Sequence, residues 1–165
     1  MEDFNQRASR YAERVRVRVC GICLQNNKVL VVKHQALDQV NNAFWSPPGG
    51  GLEYGESLRD CLAREFEEET GIQVKVGNLL YVNEFLDKPL HAIELFFEVE
   101  PQSGSVKTGT DPEAAADDQL IEQVQFLTLP ELKAIPNSDK HQIFHFLTSL
   151  DDLLIPHHNL FDQKL

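Results

Sequence analysis

The chain has 165 residues, 42% of them hydrophobic and 25% charged, which is the composition of one globular domain. Its 26 acidic residues outnumber 15 basic ones and leave a formal net charge of −11. That balance excludes a general nucleic-acid binder, which needs a basic footprint to meet phosphate. The longest apolar stretches, Val29–Val32 and Ala92–Val99, are too short or too interrupted by charge for a membrane span.

The N-terminal stretch is polar and mixed in charge. It lacks the apolar centre of a signal peptide, so a cytoplasmic location is expected. Residues 2–13 read as a short helix or a loosely attached arm. Val15, Val17 and Val19 alternate with Arg16 and Arg18, the period-two pattern of a half-buried strand. Cys20 and Cys23 lie in the same run, and residues three apart on a strand point to opposite faces. With no second cysteine pair, the spacing completes no zinc site. Cys20, Cys23 and Cys61 are therefore expected to be buried free thiols.

Gln25-Asn26-Asn27 supplies turn residues, and Lys28–Lys33 reads as the returning strand of a hairpin. Gln35–Asn42 is a polar loop. Pro47-Pro48-Gly49-Gly50-Gly51 can be neither regular helix nor central strand. A helix is predicted from Ser57 to Thr70, with Ser57 as N-cap and Gly71 as the residue after its end. Strands follow at Gln73–Val76, Leu79–Phe85 and His91–Val99, then a long polar loop over residues 101–119. Val124–Leu127 is a short strand, Pro130–Ala134 a helical turn, and Asp139–Leu150 an amphipathic helix. No repeat or linker divides the chain: a single domain is expected over residues 1–165, with an arm at 1–14 and a tail at 156–165.

The helix Ser57–Thr70 is unusual. At about 100° per residue, Leu58, Cys61, Leu62 and Phe66 form its apolar face. Glu65 and Glu69 fall within about 40° of the centre of that face, and Glu68 lies at its edge. The face that should enter the core turns acidic in the last two turns, where the helix dipole also disfavours negative charge. Clustered carboxylates at a core edge have two readings. They are a solvated charged end, or they surround a hard divalent cation such as Mg²⁺, which prefers oxygen ligands.

From Gly50 the sequence reads GGLEYGESLRDCLAREFEEETGI. Gly50, Glu56, Arg64-Glu65-Phe66, Glu68-Glu69 and Gly71-Ile72 stand at fixed spacing. This segment resembles, without a departure, the Nudix box, the signature of hydrolases that split a nucleoside diphosphate linked to another group. The resemblance extends to about residues 15–150. It implies an α/β fold: an α/β/α sandwich with a mixed central sheet and a loop–helix–loop metal site. It also implies a magnesium ion, with manganese as the alternative metal. Glu65, Glu68 and Glu69 would hold it, with Glu56 in support and the Gly50 carbonyl as a further ligand. Arg64 would orient a box glutamate through its bidentate fork, and Glu65 or Glu68 would act in the chemistry itself.

The resemblance implies a general base that is either a box glutamate, such as Glu65, or a glutamate outside the box, often in the loop before the last strand. Glu113 is the choice there over Asp111, Asp117, Asp118 and Glu122, with Glu94 and Glu98 as further candidates on a strand. Arg16 and Arg18 either reach substrate phosphate or form the polar face of their strand. Phe44, Tyr54, Tyr81 and Phe85 are read as core or rim, and His141 and His145 as surface residues.

The expected reaction is hydrolysis of a small-molecule nucleoside diphosphate derivative, with ADP-ribose or a related nucleotide sugar as the first guess. Three alternatives stay open. They are a sanitising hydrolase of oxidised nucleoside triphosphates, a non-catalytic nucleotide-binding regulator, and an isoprenoid diphosphate isomerase, for which no cysteine has an obvious match. A homodimer is an option that the arm could serve. Neither nucleic acid nor membrane is an expected partner.

Overall fold

The computed structural model of the protein describes residues 14–35, 43–87, 90–109 and 121–156. The expected arm at residues 2–13, Glu113 with Asp111, Asp117 and Asp118, and nearly all of the tail lie outside these residues.

Strand β1, Val15–Ile22, runs parallel to β7, Leu90–Gly104. On its other edge β1 takes β5, Gly49–Gly51, antiparallel. Strand β6, Ile72–Asp87, completes this mixed four-stranded sheet in the order β5-β1-β7-β6. A second sheet is built on β3, Lys28–His34. It carries the short strands β2, Leu24–Gln25, and β4, Phe44–Ser46, on one side and β8, Ile121–Leu127, on the other. The chain passes between the sheets at Cys23. The expected hairpin therefore forms between β2 and β3 alone, through Asn26 and Asn27 at φ 51° and 57°, the left-handed pair of a tight two-residue turn.

Helix α1, Leu58–Thr70, covers one face. Its Cys61, Leu62 and Phe66 pack with Val19, Leu30, Val32, Phe97 and Val99. The opposite face, bearing Cys20, Ile22, Val31, Tyr81 and Phe96, is covered by the C-terminal part of the chain. The period-two alternation of β1 sends Val19 to one layer and Cys20 to the other. Cys20, Cys23 and Cys61 are buried and free, as expected. Among the described residues no helix is long and apolar enough to cross a membrane.

Several expected elements differ. The two strands at Gln73–Val76 and Leu79–Phe85 are one strand, because its register on β7 shifts between Val76 and Leu79 without ending. Strand β7 runs on to Gly104 and takes the start of the expected loop. Strand β8 begins at Ile121 rather than Val124. The turn at Pro130 is a short helix, α2, Leu129–Ala134, capped by Thr128 in reciprocal hydrogen bonds with Glu131.

The predicted helix Asp139–Leu150 does not form. In its place are 3₁₀ turns at Asn137–Asp139, Gln142–Phe144 and Leu150–Leu154. The buried residues Phe144, Leu147, Leu150 and Leu153 recur every third position, which is the period of a 3₁₀ turn rather than of an α-helix. The segment is also pinned at fixed points. His141 donates its backbone N–H to Trp45 at 2.8 Å. The buried Lys140 ammonium donates to the carbonyls of Leu132 and Ile135 at 2.9 and 2.8 Å, at the end of α2.

Candidate metal and substrate site

Local signals fix both ends of α1. The Ser57 hydroxyl accepts the Asp60 N–H at 3.1 Å, the usual N-cap contact. Gly71, at φ 73°, donates its N–H to the Glu67 carbonyl at 2.8 Å. Two more carbonyls near the helix end accept from the segment after β7: Thr70 from the N–H of Lys107 at 2.8 Å, and Glu69 from that of Gly109 at 2.9 Å. This strap supplies donors at the helix end that carries three successive glutamates and no basic residue.

Arg64 organises the carboxylates. Its Nε and one Nη donate to the two oxygens of Glu56 at 2.9 and 3.1 Å, a bidentate pair. The other Nη donates to Glu65 at 2.9 Å and to Glu68 at 3.2 Å. The hydrogen bond from Arg64 holds the Glu56 carboxyl below its usual range.

Glu69 is buried, and its carboxylate accepts the backbone N–H of Gly49 at 2.9 Å. Gly50 faces Val19 in the β1–β5 ladder, and a Cβ built on it would fall inside the Glu65 carboxylate. The Gly-rich run is thus an edge strand whose missing side chain gives Glu65 room against the sheet.

Among the described residues no group of three or more His, Cys, Asp or Glu side chains is arranged to hold a metal ion jointly. The contacts explain this: Arg64 engages Glu56, Glu65 and Glu68, while Gly49 engages Glu69. The donor set nevertheless fits a hard divalent cation in kind. It is all oxygen, it is anionic, and it lies beside a cradle that a Cβ would fill.

Arg16 and Arg18 stand on the face of β1 away from α1 but at the same edge. A Cβ on Gly51 would lie 3.0 Å from Arg16 Nη2. Arg18 donates to the Gly49 carbonyl at 3.3 Å and lies 4.0 Å from Glu94. The charges of Glu94, Glu69 and Glu65 all act on Arg18.

Behind Arg18 lies a cluster that sequence reading missed. Glu94 is only 2% exposed. Its Oε2 accepts from Asn83 at 2.9 Å and pairs with His141 Nε2 at 2.8 Å. Asn83 in turn accepts from Gln142 at 2.6 Å. His141 is therefore buried, not on the surface. Among the described residues His145 bonds locally, to the carbonyls of Asn137 and Lys140. Burial pushes the Glu94 carboxyl up, but the hydrogen bond from His141, the charge of Arg18 and the hydrogen bond from Asn83 outweigh it and hold the group well below the ordinary range.

A signal for the cluster was present in Ala92–Phe96. Glu94 occupies the parity of Ala92 and Phe96, which is the inward one. Of the other expected acids, Glu98 is exposed and Glu122 pairs with Lys33 at 2.8 Å. Tyr81 lies in the core, stacked on Phe96, whereas Tyr54 is fully exposed. Phe44 and Phe85 are half-buried and flank His141, each 6.4 Å from it between ring centres.

The sequence matches the NUDIX domain over residues 13–147. It is 36% identical over 104 residues to an ADP-ribose pyrophosphatase from Methanocaldococcus jannaschii, covering 60% of this chain and 59% of that protein. It is also 36% identical over 69 residues to an RNA pyrophosphohydrolase from Erythrobacter litoralis, covering 41% of this chain and 42% of that one. The chain thus spans less than two thirds of either relative. The fold is similar to the crystal structure of the MutT NUDIX hydrolase from Burkholderia pseudomallei, with a TM-score of 0.62 at 22% identity over 77% of this chain and 94% of that one. The domain match encloses the carboxylate helix, the glycine edge strand and both sheets, and on it the chain belongs to the Nudix family.

Proposed function

We propose that the protein is a magnesium-dependent hydrolase of nucleoside diphosphates linked to another moiety, with ADP-ribose as the first substrate to try. One observation carries this reading. Glu56, Glu65, Glu68 and Glu69 gather around Arg64 and the Gly49–Gly50 edge, while two further guanidiniums, Arg16 and Arg18, stand at that same edge. An acidic cluster alone would repel a diphosphate. An acidic cluster that takes a divalent cation beside two arginines attracts one.

Glu65, Glu68 and Glu69 would hold the metal, with Glu56 and the Gly50 carbonyl in support. Bound there, it would neutralise phosphoryl charge and lower the pKa of a water. The chain's own part is to orient the substrate. Arg16 and Arg18 receive the diphosphate oxygens, and Arg64 keeps Glu56 fixed so that the end of α1 stays in place. Water adds its oxygen to one phosphorus, the bridging oxygen leaves with the other, and a carboxylate takes the proton. Glu113 remains the proposed base. Glu94 is set aside for that role, because it is buried, already accepts two hydrogen bonds and is weakly basic. The name of the Methanocaldococcus relative supports the choice of ADP-ribose.

Glu68→Gln is expected to abolish Mg²⁺-dependent hydrolysis while leaving the circular dichroism spectrum and melting temperature near wild type. The assay is a panel of nucleoside diphosphate derivatives with Mg²⁺ or Mn²⁺, with products resolved to show which bond breaks. Absence of wild-type turnover across the panel would overturn the reading.

A further inference from the structure

Arg18, Glu94 and Asn83 form one rung across three neighbouring strands, since Arg18 pairs with Glu94 and Glu94 with Asn83 in the ladders. All three side chains point away from α1, and the rung joins two regions. At one end Arg18 reaches the carbonyl of Gly49, the same residue whose N–H holds Glu69. At the other end Gln142 and His141, from the C-terminal turns, close over Asn83 and Glu94.

The directions of the hydrogen bonds are determined. His141 Nδ1 accepts the N–H of Ile143 at 3.3 Å, so Nε2 carries a proton and donates to Glu94. Glu94 Oε2 is thus occupied twice, by His141 and Asn83. Its Oε1 is the oxygen that faces Arg18, at 4.0 Å. Arg18 keeps its Nε without a hydrogen-bond partner among the described residues. A guanidinium steered at two points, with donor capacity unspent, is suited to accept an anion.

We infer that Glu94, clamped by His141 and Asn83, is a positioning residue that aims Arg18 at the substrate diphosphate, and that the C-terminal turns thereby set substrate affinity. The inference rests on the proposed hydrolysis and adds the group that orients its phosphate ligand. A buried ion network that served folding alone would also involve Glu94 and His141. It would not make their effect depend on Arg18.

The test is a double-mutant cycle on the full chain with ADP-ribose and Mg²⁺. Glu94→Gln keeps the shape and the Asn83 contact but removes the charge that faces Arg18. It is expected to raise KM about tenfold with a smaller change in kcat, the scale of one charge-assisted hydrogen bond. His141→Asn removes one clamp and is expected to give the same signature more weakly. In an Arg18→Ala background, Glu94→Gln is expected to change KM no further, the non-additivity of residues acting through one contact. Melting curves of each variant monitor the fold.

An unchanged KM in both Glu94→Gln and His141→Asn, a fall in kcat alone that tracks lost folded protein, or additive effects with Arg18→Ala would each overturn the inference while leaving hydrolysis in place. Absence of wild-type turnover on the panel would remove the hydrolase reading and this inference with it.

Discussion

Gly50 and Glu65 compete for one small volume, and the chain resolves the conflict by omitting a Cβ. Gly50→Ala should displace the Glu65 carboxylate from the sheet edge and cost about 1–3 kcal/mol, as overpacking does. Hydrolysis should fall by roughly 100-fold, the scale of a misplaced catalytic group. Denaturant midpoints and initial rates measure the two effects separately. Titration at the same scale predicts the acid response. Burial and the nearby Arg18 charge bring His34 down to about 4. It stays neutral in the folded state while the unfolded chain binds a proton below the usual histidine value of about 6.5. Stability should therefore fall as pH drops from about 6.5 toward 4. Glu94 is displaced in the same direction as a carboxylate, so its contribution is complete above the ordinary carboxylate range and is lost only in stronger acid. A pH series of melts should show two successive losses, and His34→Gln should remove the earlier one. The grouping of Glu65, Glu68 and Glu69 was legible in the sequence because fixed spacing puts them on one helix. The pairing of Glu94 with His141 was not, because the two lie 47 positions apart and meet only when the sheet is assembled.

Helix α1 was legible end to end, since Ser57, the apolar spacing and Gly71 are all local signals. What holds its C-terminal end was not. The donors at Lys107 and Gly109 come from a segment with no periodicity, and a Cβ on Gly109 would collide with the Glu68 and Glu69 carbonyls. Gly109→Val should lift this strap and destabilise the protein by about 1–3 kcal/mol. Exchange should quicken most at the amides of Lys107 and Gly109, whose bonds to the helix end are lost, and hydrogen-exchange mass spectrometry reads this directly. The C-terminal turns were misread for a different reason. Phe144, Leu147 and Leu150 suit an α-helical face about as well as a three-residue period over so short a span. The backbone followed the anchors at Trp45 and Glu94 instead.

At the scale of the molecule, the two layers share the strands between them. The sandwich could be expected from the family resemblance and from alternating strands. The division of the strands into two sheets, with the crossing at Cys23, depends on pairings that sequence alone does not encode. One consequence concerns how the protein comes apart. Cys20 belongs to the layer under the C-terminal turns, and Cys23 and Cys61 to the layer under α1. Burial raises all three thiols, Cys23 to about 11 and Cys61 to about 12, so none reacts at neutral pH while covered. They are internal reporters, one on one side of the sheet and two on the other. Because β1 contributes to both sides with alternate residues, neither layer can peel away and leave its neighbour intact. Pulsed alkylation read by peptide mass should therefore modify Cys20 and Cys61 together, at the free energy of global unfolding. Earlier modification of either one would show that the layers release separately.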